Sequence, residues 1–517
     1  MIDKRKDCLM FQEQLDHDFW FDKKEKKFLH NIDTFYYSVK LMQDFSSSSD
    51  DKNVHALRDF IKNNTLEVGQ FCPLVVKGCE DVQLNILPFH FGGFYNFCIE
   101  CPEMFDIFIA SSVPNNESGE SVTSEIIVQL RSYILWQMGV TKAFEYSYRV
   151  LTAFLESFHL DIMEVKENRA DYCWHSNYIQ NPETFFRIDK FSKMQVSRFR
   201  RIHYEYQFTL NDEYENDYIC LGKRSDKCFV RIYLKSKEVV EKGYKPWFFK
   251  EWLFNGLISR FDMYVYEKCF VKKKWKYVDT ARLEFYLEYG SNENIKSECA
   301  AIVNGELEKS NEYIHALADQ LTPRLTLITN VEYQTTRRMS KSFCLIPLKD
   351  NASKYGVASR IYDYLDNHTL ITEYLTHSTL RLVERSLGSN KSRDDYCPFW
   401  KALRSTKYVD VSKSPKNLKL VRDYTRKLNK EIVKKRFTSA CITYGLYVKG
   451  VNSDHPLTDC ADALMRLNDN DVFDMKRYKD KKLKLLNNEL LSNALGGDSM
   501  IHNLTLINNS TGEAYGS

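Results

Sequence analysis

Residues 1–30 are charged and mostly polar, suited to a short helix or an arm. The first strong pattern is NIDTFYYSVKL at residues 31–41. There Asp33, Phe35 and Tyr37 alternate with Ile32, Thr34 and Tyr36, which is the period of a strand. SSSSDDKN at 46–53 is a loop signature. Aromatic runs over 83–110, broken by Gly92, Gly93 and Pro102, predict two or three strands, and VPNNESGES at 113–121 predicts a loop. EIIVQLRSYILW at 125–136 predicts a strand passing into something wider, with a break at Gly139. Residues 141–158 predict a helix, because Ala143, Tyr146, Val150 and Phe154 fall three or four apart and would face a sheet.

The segment IMEVKENRADYCWHSN, 162–177, sorts into two faces. Arg169, Asp171, Cys173 and His175 share one; Ala170, Tyr172 and Trp174 share the other. An open antiparallel sheet is expected, with its aromatic face turned to helices and its polar face to solvent. Residues 187–204 are basic with interleaved aromatics, and 216–235 predict a hairpin turning at GKRSD. Trp247, Phe248, Trp252 and Leu253 mark a short amphipathic helix. Two more strands are expected at 259–270 and 280–290. In the first Arg260, Asp262, Tyr264 and Tyr266 alternate against Phe261, Met263 and Val265; in the second Arg282, Glu284 and Tyr286 alternate against Leu283, Phe285 and Leu287.

After residue 300 the pattern turns to helices and basic loops. Residues 361–387 predict one or two helices, and RDDYCPFWKAL at 393–403 turns at Pro398. Residues 411–440 hold seven Lys and three Arg against Asp423 and Glu431, net +8. Inside that stretch Leu418, Val421, Tyr424, Leu428 and Ile432 line the apolar side of an expected helix. The tail from 494 is rich in Gly, Asn and Ser, and disorder is expected there.

Composition narrows this only a little. A chain of 517 residues and 61.0 kDa suggests roughly three domains, or one large domain with additions. Apolar residues at 43% suffice for ordinary cores, and a net charge of +3 excludes a strongly basic coat while leaving room for a local basic face. There is no apolar run of membrane-spanning length, and MIDKRKDCLMFQEQ has charge where a signal peptide needs an apolar core. A cytoplasmic protein with its 14 cysteines reduced is therefore expected. Cys98 and Cys101 form the one CxxC. It reads as small buried residues beside the turn at Pro102, with a zinc site completed by Cys72 and Cys79 as the weaker alternative. Walker, dinucleotide-glycine and HExxH motifs are missing, so nothing supports ATP hydrolysis by this chain.

Three segments carry an Arg-x-acid trio: Arg169-Asp171, Arg260-Asp262 and Arg282-Glu284. Arg–carboxylate pairing across neighbouring strands is one reading, and a carboxylate cluster holding a hard divalent cation is the other.

YICLGKRSDKCFVRIYLKSKE resembles the strand–turn–strand signature of rolling-circle replication initiators of the pT181-like plasmid class and their phage and conjugative-element relatives. Arg282-Leu283-Glu284, the upstream NRADYCWHSN and the strand holding Asp33 resemble other parts of the pattern, so the resemblance spans residues 30–290. It implies an α+β relaxase/Rep (HUH-like) nuclease core with an antiparallel sheet. The expected layout is an arm at 1–30, the nuclease domain at 31–300, a mainly helical basic domain at 301–490 and a disordered tail at 491–517. It further implies a tyrosine that attacks DNA and stays on the 5′ phosphate, a divalent metal, single-stranded or cruciform origin DNA as partner, a host helicase and homodimers.

Mapped onto this chain, Asp171 and Glu284 are expected as oxygen ligands, with His175 as a third, for Mg²⁺ or Mn²⁺. The family's nucleophile follows the Arg-x-Glu strand, and the helix expected after Glu284 holds no tyrosine. Tyr289 and Tyr286 are therefore the first choices, and Tyr264, Tyr266 and Tyr233 stay open. Lys223, Arg224, Lys227 and Arg231 of the hairpin, with Arg198, Arg200 and Arg201, are expected to contact phosphates. Lys427, Lys430, Lys434, Lys435 and Arg436 would form a second DNA-binding surface. A conjugative relaxase of the same chemistry, and a non-catalytic DNA-binding initiator or regulatory or structural phage protein, are the rival readings.

Overall fold

The structure, a computed structural model, describes residues 17–408 except 23–24, 67–70, 89–90, 92–93, 117–122, 198, 200–201, 205–206, 209–213, 216–217, 243–244, 342, 345–346 and 386–389. Beyond 408 it describes 421–422, 437 and 479. The basic stretch 411–440 thus lies almost wholly outside the described residues, as does the tail. The chain divides into two compact units, 1–340 with 345–420, and 341–344 with 421–517. In the second, Phe343–Cys344 pairs antiparallel with Val421–Arg422.

The first unit is an α+β fold on one large antiparallel sheet. Its strands are β1 (Phe28–Leu41), β2 (Cys72–Leu74), β3 (Leu84–Leu87), β4 (Tyr95–Cys101), β5 (Phe105–Ala110), β6 (Ile126–Leu130), β7 (Ile162–Ser176), β8 (Ile202–Tyr204), β9 (Tyr218–Leu221), β10 (Cys228–Leu234) and β11 (Thr329–Thr336). They lie in the order β2-β3-β4-β5-β6-β1-β7-β11-β10-β9-β8. The two long strands β1 and β7 form the spine. Thr329–Thr336 then slots between β7 and β10, pairing with both. A sheet domain ending at 300 is corrected by that strand. TNVEYQTT is polar and not legible as a central strand, yet its side chains are nearly all buried.

The hairpin forms as its pattern requires. Tyr218–Leu221 and Cys228–Leu234 pair antiparallel around an exposed turn. Gly222 stands there at a φ of 84°, and a Cβ on it would come within 3.0 Å of the Asp226 carboxylate and the Phe199 ring. The helix expected at 141–158 is longer, α1 (Ser132–Glu156), and bends where Gly139 takes a φ of 78°.

The strands expected at 259–270 and 280–290 are helices. Between β10 and β11 run α2 (Lys235–Lys242), α3 (Trp247–Phe254), α4 (Arg260–Lys272), α5 (Val278–Tyr289) and α6 (Asn311–Leu321). The alternation over 259–266 is real but shorter than the helical signal. Phe261, Val265 and Cys269 recur at four and are all buried. Ser259 also begins α4 with a capping box, its hydroxyl accepting from the Asp262 amide while the Asp262 carboxylate accepts from the Ser259 amide. Trp252, Phe249, Phe261, Tyr266, Phe285 and Tyr286 form an aromatic core for these helices. Each such ring contributes about 1.5–3 kcal/mol by burial.

Both faces of the sheet centre are covered. On the aromatic face the Tyr172 hydroxyl donates to Tyr364 at 2.9 Å, that of Tyr333 donates to the Leu380 carbonyl, and Trp174 stacks on His30 at 4.0 Å. The opposite face, expected to meet solvent, does not. Asp171, Cys173 and His175 are buried, the last against Trp136, Phe248 and Trp252. The helices inserted after β10 supply Phe248 and Trp252, and their placement is invisible in the local pattern of β7.

Candidate functional site

The polar side chains of that covered face converge from strands distant in sequence. Register places Asn330 opposite His175 and Tyr233, and Glu332 opposite Cys173 and Arg231. Cross-strand partners share a face, so Tyr233, Arg231, Asn330, Glu332, Cys173, His175 and Asp171 point the same way. On β1 the pairing slips between Ile32 and Thr34. Asp33 is the extra residue of that bulge, a device that re-aims a side chain. Its carboxylate reaches Lys235 and Lys245 in the helical insertion.

Tyr233 sits at the centre and is 6% exposed. Its hydroxyl donates to Glu332 Oε2 at 3.0 Å and accepts from Asn330 Nδ2 at 3.1 Å and Lys235 Nζ at 3.3 Å. Asn330 Nδ2 also reaches Glu332 Oε2 at 3.2 Å, and Arg231 pairs with the other Glu332 oxygen. Lys235, 1% exposed, lies 2.7 Å from Glu238 and 3.5 Å from Asp33. Lys245 approaches Asp33 at 3.2 Å and donates to the Ser132 hydroxyl. Arg169 clasps Asp171 through two nitrogens.

Burial and charge set the protonation states. Burial, with Glu238 and Glu332 nearby, holds the Tyr233 phenol protonated well above the usual range. Burial pulls Lys235 down, but Asp33 and Glu238 outweigh it, so the ammonium persists. Burial would raise Asp33, yet Lys235 and Lys245 drive it below the ordinary carboxylate range. Burial also opposes ionisation of Glu238, which Lys235 nonetheless holds down at about 2. For Asp171 burial wins over Arg169 and lifts it to about 6. Burial and Lys235 keep His175 neutral, at about 3.

Several expected site residues lie elsewhere. Glu284 is on α5, held by the Tyr277 hydroxyl and by Lys268 at 2.9 Å. Among the described residues no three His, Cys, Asp or Glu side chains converge as a metal site, so Asp171, Glu284 and His175 are not brought together, nor are the four cysteines. His175 instead accepts from the Trp252 indole at 3.2 Å. Tyr286 is in the aromatic core of α5, and Tyr289 lies against Trp20 and Phe285. Both are off the sheet because 280–290 is helical. Lys223, Arg224 and Lys227 are exposed on the hairpin turn, whereas Arg231 faces Glu332. Arg198, Arg200, Arg201, Lys427, Lys430, Lys434, Lys435 and Arg436 lie outside the described residues.

Glu332, Lys235, Asn330, Glu238 and Lys245 escape the sequence reading. One signal is available: Arg231, Tyr233 and Lys235 alternate along β10 and the residue after it, so one face holds two cations around a phenol.

No family model and no curated protein matches this chain. Among solved structures it is similar to the rolling circle replication initiator protein from Geobacillus stearothermophilus. The identity is 12% and the TM-score 0.32, over 73% of this chain and 95% of that one. Among the described residues no helix is long and apolar enough to cross a membrane.

Proposed function

We propose that this chain is a replication initiator of the rolling-circle kind, nicking one DNA strand at an origin with Tyr233 as nucleophile. The observation that supports it is the Tyr233 hydroxyl held between an acceptor, Glu332, and a cation, Lys235, on the polar face of the sheet. A phenol has an ordinary pKa near 10 and attacks poorly until a base takes its proton. In this reading Glu332 accepts that proton as the phenolic oxygen bonds to phosphorus. Lys235 and Arg231 neutralise the non-bridging oxygens. The bond from phosphorus to the 3′ oxygen breaks, the 3′ oxygen takes the proton that Glu332 received, and the 5′ phosphate stays on Tyr233. Tyr233 and Lys235 are buried, with the Lys235 ammonium over the Tyr233 ring, so DNA must open this cover to reach the phenol.

The expected Mg²⁺ or Mn²⁺ fits this arrangement poorly. Asp33, Asp171, Glu238 and Glu332 are matched by Lys245, Arg169, Lys235 and Arg231, so a cation would have to displace existing partners. No step here is routed through one.

The test is a covalent protein–DNA adduct on a denaturing gel, using single-stranded oligonucleotides from the chain's own replicon, with Mn²⁺ or with EDTA. An adduct whose mapped peptide holds Tyr233, absent in Tyr233→Phe, is the expected result. An adduct on another tyrosine would overturn the assignment. Burial and complete hydrogen bonding of Tyr233 favour the second reading, a non-catalytic DNA-binding initiator. Tight DNA binding with no adduct would establish that instead.

A further inference from the structure

Two lysine-rich stretches far apart in the chain each send residues to one groove, Lys26 from the first and Trp275 and Lys276 from the second. The first is DKKEKK, residues 22–27; the second is KKKWK, residues 272–276. Asn177, just past the end of β7, ties down Glu25 and Lys27, on either side of Lys26. Its side-chain amide donates to the Glu25 carbonyl at 3.0 Å and to the Leu257 carbonyl at 3.1 Å, and its oxygen accepts from the Lys27 amide at 3.0 Å. The second run follows α4, where Lys273 turns the chain at a φ of 52°.

The groove between them has a volume of about 790 Å³ and is open to solvent. Lys26, Trp275, Lys276, His315 and Arg324 are among its lining residues, with Leu234, which strand alternation turns to the face opposite Tyr233. Four lining cations, Lys26, Lys276, Arg282 and Arg324, stand against two lining carboxylates, Glu183 and Asp279. Arg282 is spoken for by Asp279 and Asp319, and Arg324 by Asp319. His315 leans on Asp279. Lys26 and Lys276 are exposed and make no ion pair among the described residues, and the same is true of Lys273 and Lys274. Trp275 is half-buried, its indole 6.4 Å from Tyr266 and inclined to it by 30°.

Unpaired lysines around a fixed, partly open indole are the two ingredients of a sequence-tolerant site for single-stranded nucleic acid. Ammonium groups follow the phosphates, and an aromatic face takes a base. We propose that this groove binds single-stranded DNA, with a base on Trp275 and phosphates on Lys26 and Lys276. The proposal deepens the nicking reading by naming where the strand lies, but binding here does not depend on chemistry at Tyr233.

The experiment uses the full chain, a labelled oligo(dT) and fluorescence anisotropy over a salt series. Lys26→Ala with Lys276→Ala is expected to flatten the dependence of log affinity on log salt by about 1.4, from roughly 0.7 for each single-strand phosphate that is no longer neutralised. Trp275→Phe is expected to weaken binding several-fold at an unchanged salt slope, and to abolish most quenching of tryptophan emission by oligo(dT). Heparin should leave that emission unquenched in the wild-type chain. An unchanged salt slope in the double lysine variant would overturn the proposal. So would equal quenching by heparin, which would mark a general polyanion surface. Tyr233→Phe separates the two claims. If it loses the adduct but keeps oligo(dT) affinity, both hold; if no adduct forms in any chain while the groove variants lose affinity, the groove stands and the nicking reading falls. If the groove variants form adduct at wild-type oligonucleotide concentrations, the nicking reading stands and the groove falls.

Discussion

Lys235 shows what a buried cation costs and what it requires. Desolvation disfavours its charged form; Asp33 and Glu238 outweigh that and keep the proton on. Breaking such a pair leaves an uncompensated buried charge, typically about 3–5 kcal/mol. Lys235→Met is therefore expected to lower unfolding free energy by about that much in urea denaturation. Adding Asp33→Asn to Lys235→Met should restore part of the loss; a coupling energy near zero would show that Lys245 alone neutralises Asp33. His175 answers to pH. Its folded pKa of about 3 lies below the ordinary value of 6.5, so the stability it contributes is full above 6.5 and drains away as pH falls toward 3. His175→Asn keeps an acceptor for the Trp252 indole. It should reduce the slope of stability against pH between 6 and 4 by about 1.4 kcal/mol per unit. An unchanged slope would mean that the imidazole charges freely in the folded chain. Asp33 and Tyr233 belong to patterns visible in the sequence, but the aim of Asp33 depends on a bulge and the company of Tyr233 on β11.

At the scale of elements, α4 and α5 hold the main lesson. Arg260-Phe-Asp-Met-Tyr-Val-Tyr alternates well enough to be read as a strand. The stronger determinant is the start signal at Ser259, whose cap also reaches the tertiary structure. Asp262 Oδ1 accepts from the Thr326 amide at 2.8 Å, joining the beginning of α4 to the approach to β11. Ser259→Ala is expected to cost about 1 kcal/mol, read as a lower urea midpoint at unchanged slope. No shift in midpoint would mean that Asp262 caps the helix unaided. The hairpin was legible because its information is local: a glycine able to take positive φ, an Asp that accepts from the Lys223 amide at 2.8 Å, and alternating strands on either side. The faces of β7 were legible for the same reason.

Across the whole first unit, connectivity decides what can be removed. A fragment ending at residue 300 lacks β11, so β7 and β10 lose the strand that joins them, and Tyr233 loses Glu332 and Asn330. That fragment is expected to aggregate or show little amide protection in hydrogen exchange, whereas one ending at 408 should keep slow-exchanging amides in β1, β7 and β11. Protection of β7 in the shorter fragment would contradict the central role of β11. By itself, the sequence determined the long strands and their two faces, the hairpin, the core of α1 and the presence of paired cations and carboxylates, because each is a matter of backbone period or local turn chemistry. Only the tertiary structure decided that the polar face is buried, that the polar segment Thr329–Thr336 is a central strand, and that Tyr233 meets a glutamate 99 residues away. Register between distant strands and the cover laid over them come from long-range packing, which no single stretch of the chain encodes.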